Sequence, residues 1–161
     1  MVLGLGDIKL PALPPPIMAR RIPPSHFKSK HGVIGRSNME LFMVFTDLRN
    51  LTAMIPANEK ALEKVSLDAD FDNLRISANG ININVRITER VPYSKIMAES
   101  VESPIKFTVT LNFQDMGGHR TEFFIELDAE LNFLMKQMLG KKIENGLDMI
   151  IDTLEKQSAQ I

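Results

Sequence analysis

Two consecutive segments in the second half of the chain alternate strictly between apolar and polar residues. The apolar positions of the first segment are Ile105, Phe107, Val109, Leu111 and Phe113. Those of the second segment are Phe123, Ile125, Leu127, Ala129 and Leu131. Because successive side chains of a β-strand point to opposite faces of the sheet, each segment predicts a strand with one apolar and one polar face. This pattern is typical of an antiparallel sheet that covers a core on one side.

The region before these strands predicts a first strand and then a series of hairpins. Asn79-Gly80 is a strong hairpin signal, because both residues tolerate positive φ angles. In the strand after this turn, Ile83, Val85 and Ile87 alternate with polar residues. We therefore predict seven strands, at His26–Ile34, Leu62–Asp68, Leu74–Ala78, Ile81–Thr88, Ser94–Val101, Ile105–Gln114 and Glu122–Leu131.

Three segments have the apolar spacing of helices. Ser37 and Glu40 form a capping-box pattern that starts a short helix, and a second short helix is predicted at Leu51–Ile55, before Pro56. The third helix covers Phe133–Lys156, and its apolar stripe consists of Met135, Leu139, Ile143, Leu147, Ile150 and Leu154. Its opposite, polar face carries Lys141, Asn145, Asp148, Asp152 and Glu155.

The apolar stripe of the last helix provides a cover for the apolar face of the sheet. We predict an α+β, helix-grip fold: a seven-stranded curved antiparallel sheet, two short helices after strand 1 and a long C-terminal helix. Gly146 lies on the apolar side of this helix. A glycine there permits the close approach of a strand or of a ligand, and simple close packing is the alternative interpretation.

The first 25 residues differ from the rest of the chain, because they contain six of the nine prolines. Proline removes the backbone donors that a helix or a central strand requires, so we expect residues 1–25 to form an extended, mobile tail. One hypothesis is that translation starts later, for example at Met18. Residues 26–157 are predicted to form a single domain.

The predicted order of strands and helices resembles the START-like superfamily, also known as the polyketide cyclase-like or SRPBCC superfamily, which includes the birch pollen allergen family. Local similarities are the segment Phe45–Leu51 at the end of the first helix, Pro56 after it, and the segment Leu139–Leu147, which is similar to small bacterial members. The resemblance extends from Phe27 to Leu154. It implies a domain that binds lipids or other hydrophobic ligands between the sheet and the C-terminal helix.

We accordingly expect a hydrophobic small molecule or a lipid to bind in an internal cavity. The residues expected to line this cavity are Met54, Ile83, Val85, Ile87, Phe107, Val109, Leu111, Phe123, Ile125, Leu127, Leu139, Ile143, Gly146 and Leu147. Methionines at 39, 43, 54, 97, 135 and 138 are expected near the interior. Methionine is flexible and suits an adaptable pocket, but it is also a common gap filler in protein cores.

An enzymatic function would require a titratable group that faces the cavity. Glu89 continues the face of Ile83, Val85 and Ile87, and His31 shares strand parity with Phe27. Either residue could serve as a general acid or base of a cyclase or dehydratase if it were buried. The alternative is that both residues face water. A third hypothesis is a protein-interaction module whose cavity is filled.

Composition narrows the range of functions. The formal net charge of −1 argues against a nucleic-acid partner, which requires a basic excess. The sequence contains no cysteine, which fits a reducing cytoplasm, where we expect the protein to be located. The three histidines have no metal-ligand spacing, and no phosphate- or dinucleotide-binding motif is present, so neither a metal nor a cofactor is expected. No apolar run reaches the length needed to span a bilayer, so integral membrane association is not expected.

Overall fold

The computed structural model describes residues 24–54, 65–78 and 80–159, except for the side chains of residues 52–54, 65, 78 and 159. The strands in these ranges are β1 (Ser25–Lys28), β2 (Gly32–Ile34), β3 (Val65–Ala69), β4 (Asn73–Ala78), β5 (Ile81–Val91), β6 (Lys95–Glu102), β7 (Phe107–Gly117) and β8 (Arg120–Ala129). The helices are α1 (Asn38–Phe45), α2 (Arg49–Met54) and α3 (Phe133–Ala159). Residues 1–23 of the expected tail lie outside the described residues.

All eight strands belong to one antiparallel sheet. Its order is β1-β8-β7-β6-β5-β4-β3, and β2 pairs with β8 beside β1. The described strands follow one another as hairpins from β3 to β8, which is why sequence neighbours are also spatial neighbours. The sheet, the two short helices and the long C-terminal helix confirm the α+β helix-grip fold.

The inner face of the sheet is the face that packs against the helices. Ile96, Leu111 and Ile125 are aligned on it across β6, β7 and β8. At one end of this face, the rings of Phe113 and Phe123 lie 5.2 Å apart. Phe45 of α1 stacks on Phe123 with 5.5 Å between ring centroids, so α1 closes this end of the core.

The capping box predicted at the start of α1 is confirmed. The Ser37 hydroxyl accepts a hydrogen bond from the backbone N–H of Glu40 (3.1 Å), and the Glu40 carboxylate accepts one from the backbone N–H of Ser37 (3.1 Å). Two backbone donors at the start of the helix are thereby satisfied. Helix α1 is also held by Phe42, whose ring packs edge-on against Tyr93 in the β5–β6 turn.

The prediction of one continuous first strand was wrong, because the strand is interrupted. β1 ends at Lys28 and β2 begins at Gly32, while β8 advances only from Glu126 to Phe123 between the corresponding pairs. At the break, the Ser29 hydroxyl accepts a hydrogen bond from the backbone N–H of Ile125 (2.8 Å). The Ser29 hydroxyl thus takes the place of the backbone acceptor that a continuous strand would offer to Ile125 of β8.

Helix α3 lies over this broken strand in very close contact. At Gly32 of β2, a methyl group in place of the hydrogen would overlap the Cγ2 atom of Ile151, which is fully buried. Leu147 and Leu154 are buried on the same side of α3. Ile150 was expected in this buried stripe but is 47% exposed, so the stripe is rotated relative to the prediction.

The acidic side chains of α3 do not form the solvated face that the sequence indicated. Asp148 accepts a hydrogen bond from the backbone N–H of Lys30 (2.7 Å), and Glu155 accepts one from the backbone N–H of Val33 (2.9 Å). Asp152 pairs with the Lys30 ammonium group. These carboxylates hold α3 on β2 and on the connection that precedes it.

We predict that Gly32→Ala lowers the free energy of unfolding by about 1–3 kcal/mol, because overpacking forces α3 away from β2. Urea denaturation measures this loss. Gly140→Ala is the matched control. Its methyl group would lie 3.7 Å from Phe27 Cε1, an ordinary contact, and should stabilise the helix by up to about 1 kcal/mol. Equal stability of the Gly32→Ala variant and the wild type would contradict the close contact.

Candidate functional site

A set of apolar side chains that are only half-buried lies on the inner face of the sheet and on the sheet-facing side of α3. We call it the inner groove, and its residues are Ile83, Phe107, Val109, Leu111, Leu127, Met135, Leu139 and Ile143. The packing partners of α3 are mainly β1, β2 and β8. The middle strands β5 and β7 therefore present apolar surface that the described part of α3 does not fully cover.

Gly146 faces an open space beside this groove. Apart from the two flanking residues and the backbone of the helix itself, no described heavy atom lies within 4 Å of the position that a Cβ atom would take at Gly146. Close packing against a strand therefore does not account for this glycine. The approach of a ligand at Gly146 stays a prediction.

The residues expected to line the cavity fall into two groups. Val85, Ile87, Phe123, Ile125 and Leu147 are buried in the hydrophobic core, where they pack against other side chains. Ile83, Phe107, Val109, Leu111, Leu127, Leu139, Ile143 and Gly146 are half-buried along the inner groove. The side chain of Met54 lies outside the described part of the structure.

Most of the methionines expected near the interior are elsewhere. Met39, Met43 and Met138 are 52%, 58% and 64% exposed. Met97 pairs with Glu89 and Thr110 in register, which places it on the outer face of the sheet. Met135 is half-buried beside the core, as expected.

Glu89 does not share the face of Ile87, contrary to the prediction. The pairing of β5 with β6 shifts register between Ile87 and Glu89, a β-bulge that places one additional residue in β5. Because side-chain direction has a period of two residues, this extra residue moves Glu89 to the exposed outer face. The same shift moves Arg90 to the inner face, opposite Ile96.

His31 is also on the outer face, because the break between β1 and β2 changes the parity of the strand. Its ring stacks on Phe124 with 4.1 Å between centroids, and its Nδ1 atom lies 3.0 Å from the Glu122 carboxylate. Two strands, β6 and β7, separate Glu89 on β5 from this cluster on β8. The structure therefore does not bring the two candidate catalytic residues together.

Arg90 is a residue of the inner face that the sequence interpretation missed. Its Nε atom donates to the Thr46 hydroxyl (2.6 Å) and its Nη2 atom donates to the Thr46 carbonyl (2.8 Å). The Nη2 atom also donates to the Asp72 carboxylate (2.6 Å), and the guanidinium lies 4.6 Å from the centroid of the Phe71 ring. Arg90 thus ties β5 to the end of α1 and to the β3–β4 turn.

A second apolar depression, of about 480 Å³, lies between α1 and the C-terminal end of α3. We call it the end groove. It is lined by Ile34, Arg36, Met39, Glu40, Leu41, Met43, Val44, Phe45, Leu154, Gln157 and Ser158. Its volume is within the usual range of ligand sites. None of the residues expected to line the cavity belongs to it.

Charged groups near these grooves have specific partners. The backbone and side-chain hydrogen bonds of Ser37 lower the pKa of Glu40 at the rim of the end groove. Hydrogen bonds from Arg49 lower the pKa of Asp47, next to the Thr46 that holds Arg90. Both carboxylates are therefore held in the ionised form, which makes them structural partners and poor general acids at neutral pH.

Within residues 24–54, 65–78 and 80–159, no group of three or more His, Cys, Asp or Glu side chains could hold a metal ion. The aspartates of the β3–β4 turn instead have protein partners. Asp70 accepts hydrogen bonds from Asn73, which lower its pKa, and Asp68 pairs with Arg75. Among the described helices, none contains an apolar stretch of the length that a membrane span requires.

Solved structures share this fold, although no protein-family model and no curated protein matches the sequence. Norcoclaurine synthase from Thalictrum flavum, in complex with dopamine and hydroxybenzaldehyde, matches with a TM-score of 0.65 and 12% identity, over 99% of this chain and 95% of that chain. A START superfamily protein from Mycobacterium smegmatis matches with a TM-score of 0.55 and 14% identity, over 84% and 97%. These similarities confirm the START-like fold that the sequence predicted.

We predict that Arg90→Met lowers the free energy of unfolding by about 1–2 kcal/mol, because the charged hydrogen bonds to Thr46 and Asp72 are lost. Arg86→Met is the control on the same strand. Arg86 is exposed on the outer face, so its replacement should change stability by less than about 0.5 kcal/mol. An equal loss in both variants, measured by urea denaturation, would contradict the role of Arg90.

A pH-dependent contribution is expected from Glu40. Its pKa in the folded state is below the ordinary value of 4.5, so its stabilising effect is present above that pH and is lost as the pH falls through the folded-state pKa. The difference in Tm between the wild type and Glu40→Gln should be positive at neutral pH and should shrink in acid. Glu144→Gln, at an exposed position of α3, should show no such trend. A pH-independent Tm difference for Glu40→Gln would contradict the capping contribution.

Proposed function

We propose that this protein binds a hydrophobic small molecule or a lipid in the inner groove, between the sheet and α3. The observation that carries this proposal is the half-buried apolar surface of β5, β7 and β8 beside the open space at Gly146. These side chains pack against the hydrophobic core on one side and leave part of their apolar surface exposed to water. A ligand that covers them would remove apolar surface from water.

Burying apolar surface in this way makes a large favourable contribution to the free energy of binding. A ligand that buries about 300 Å² of apolar surface gains about 7 kcal/mol before the entropic costs of association. Arg90 contributes charge to the inner face, but its donors are directed at Thr46 and Asp72. The groove therefore favours a ligand that is apolar over most of its surface.

The fold of the solved relatives supports a small-molecule ligand in general terms. The norcoclaurine synthase structure with dopamine and hydroxybenzaldehyde holds two small aromatic molecules. At 12% identity this similarity shows a shared fold, and it does not match individual residues of that enzyme to residues of this chain. We propose binding, and assign no catalytic role to Glu89 or His31, because both residues lie on the outer face. The absence of cysteine fits a cytoplasmic location.

The test is a thermal-shift titration of the protein with a panel of fatty acids and quinones, accompanied by organic extraction of protein purified from its natural source. We expect at least one apolar compound to raise the Tm. The variant Gly146→Leu should fill the open space, weaken that compound at least about tenfold and leave the fold intact, since leucine is a good helix former.

Asn145→Leu is the matched control, because it adds the same side chain at the neighbouring, exposed position. We expect it to leave the affinity unchanged. If no compound in the panel raises the Tm and extraction yields no lipid-like species, the binding proposal is wrong. If a compound binds the wild type and Gly146→Leu equally well, the ligand occupies another place, with the end groove as the first alternative.

A further inference from the structure

The side of α3 that faces away from the sheet exposes three large apolar side chains among lysines. We call it the outward stripe, and its residues are Leu134, Met138, Lys141, Lys142, Asn145, Met149 and Lys156, all of which are exposed. Leu134, Met138 and Met149 are 63%, 64% and 66% exposed. From Leu134 to Met149 the stripe extends about 22 Å along the helix. Leu134 and Met138 lie one helical turn apart, and two lysines separate them from Met149, so the stripe alternates apolar and basic surface.

The charges of α3 are segregated in a way that makes this stripe basic. The segment Phe133–Ile143 contains three lysines and no acidic residue. Farther along the helix, Asp148, Asp152 and Glu155 are turned towards Lys30 and the backbone of β2. The outward stripe therefore combines lysines with large apolar side chains, although the whole chain has a formal net charge of −1. Asp152 follows Met149 on this side but is paired with Lys30, and Glu144 is exposed at the border of the stripe.

We propose that the outward stripe docks on the surface of an anionic lipid bilayer, with α3 lying parallel to the membrane plane. Helices that lie in the interface combine large apolar side chains with lysines that reach the headgroups. Leu134, Met138 and Met149 enter the acyl boundary, and Lys141 and Lys142 contact the anionic headgroups.

The composition of the stripe favours a membrane over a protein partner. Lysine is depleted in protein–protein interfaces, where a buried ammonium group requires a specific counter-charge. At an anionic membrane surface, each lysine near the headgroups strengthens binding about fivefold without a defined partner. Lys136, Lys141 and Lys142 form no ion pair with the described residues, so they are available for this interaction. Docking of this kind does not depend on a ligand in the inner groove.

The experiment is co-sedimentation of the protein with vesicles of phosphatidylcholine alone and with vesicles that contain about one third phosphatidylserine. We expect binding to the anionic vesicles, and weaker binding when the salt is raised from about 0.1 M to about 0.5 M. The double variant Lys141→Gln/Lys142→Gln should lose about 25-fold in affinity. Leu134→Ser/Met138→Ser should also reduce binding to the anionic vesicles.

Ile81→Ser/Met116→Ser is the control, since it removes two exposed apolar side chains from β5 and β7, away from α3, and it should bind like the wild type. The chain contains no tryptophan, so Leu134→Trp provides a single reporter whose emission should shift to the blue when anionic vesicles are added. Circular dichroism melts verify that each variant is folded.

Three results would overturn the proposal. The first is no binding to anionic vesicles at low salt, and the second is equal binding by the wild type and the lysine variant. The third is a concentration-dependent dimer that Leu134→Ser/Met138→Ser abolishes, which would assign the outward stripe to contacts between copies of the chain. Binding that depends on both the lysines and the apolar residues supports it.

Discussion

The close contact between α3 and β2 is the interaction on which the remaining arrangement depends. Gly32 lets Ile151 approach the strand, and the carboxylates of Asp148 and Glu155 bind the backbone around it. Because the helix is fixed over β1, β2 and β8, it cannot also cover the middle of the sheet. The inner groove exists because the helix is anchored to one side, and the outward stripe faces away from the sheet for the same reason.

Much of the fold could be predicted from the sequence, because the alternation along β7 and β8 is long and uninterrupted. Strict alternation gives each of these strands one apolar face, and this face has to be shielded from water. The amphipathic C-terminal helix is the element that can cover it. The capping box at Ser37 could also be predicted from the sequence, since it is a local motif with a fixed spacing.

The site was less predictable, because single-residue irregularities decide which side chains face inward. The bulge between Ile87 and Glu89 and the interruption at Ser29 each change strand parity, and neither leaves a clear trace in the pattern. Glu89 and His31 were therefore placed on the wrong face, and Arg90 was missed.

Similarly, a polar row on a helix indicates that the row is not buried in apolar surroundings. It does not distinguish water from a neighbouring backbone, as Asp148 and Glu155 illustrate.

The interrupted strand also affects how the sheet meets other proteins. A strand at the border of a sheet exposes unpaired backbone donors, and these can recruit a strand from a second molecule and start aggregation. Here β1 and β2 are short, and the N–H groups of Val33 and Gly35 are occupied by the Glu155 carboxylate and the Ser158 hydroxyl of α3. The helix thus blocks strand addition along β2, and variants that lose these two side chains would be expected to self-associate there.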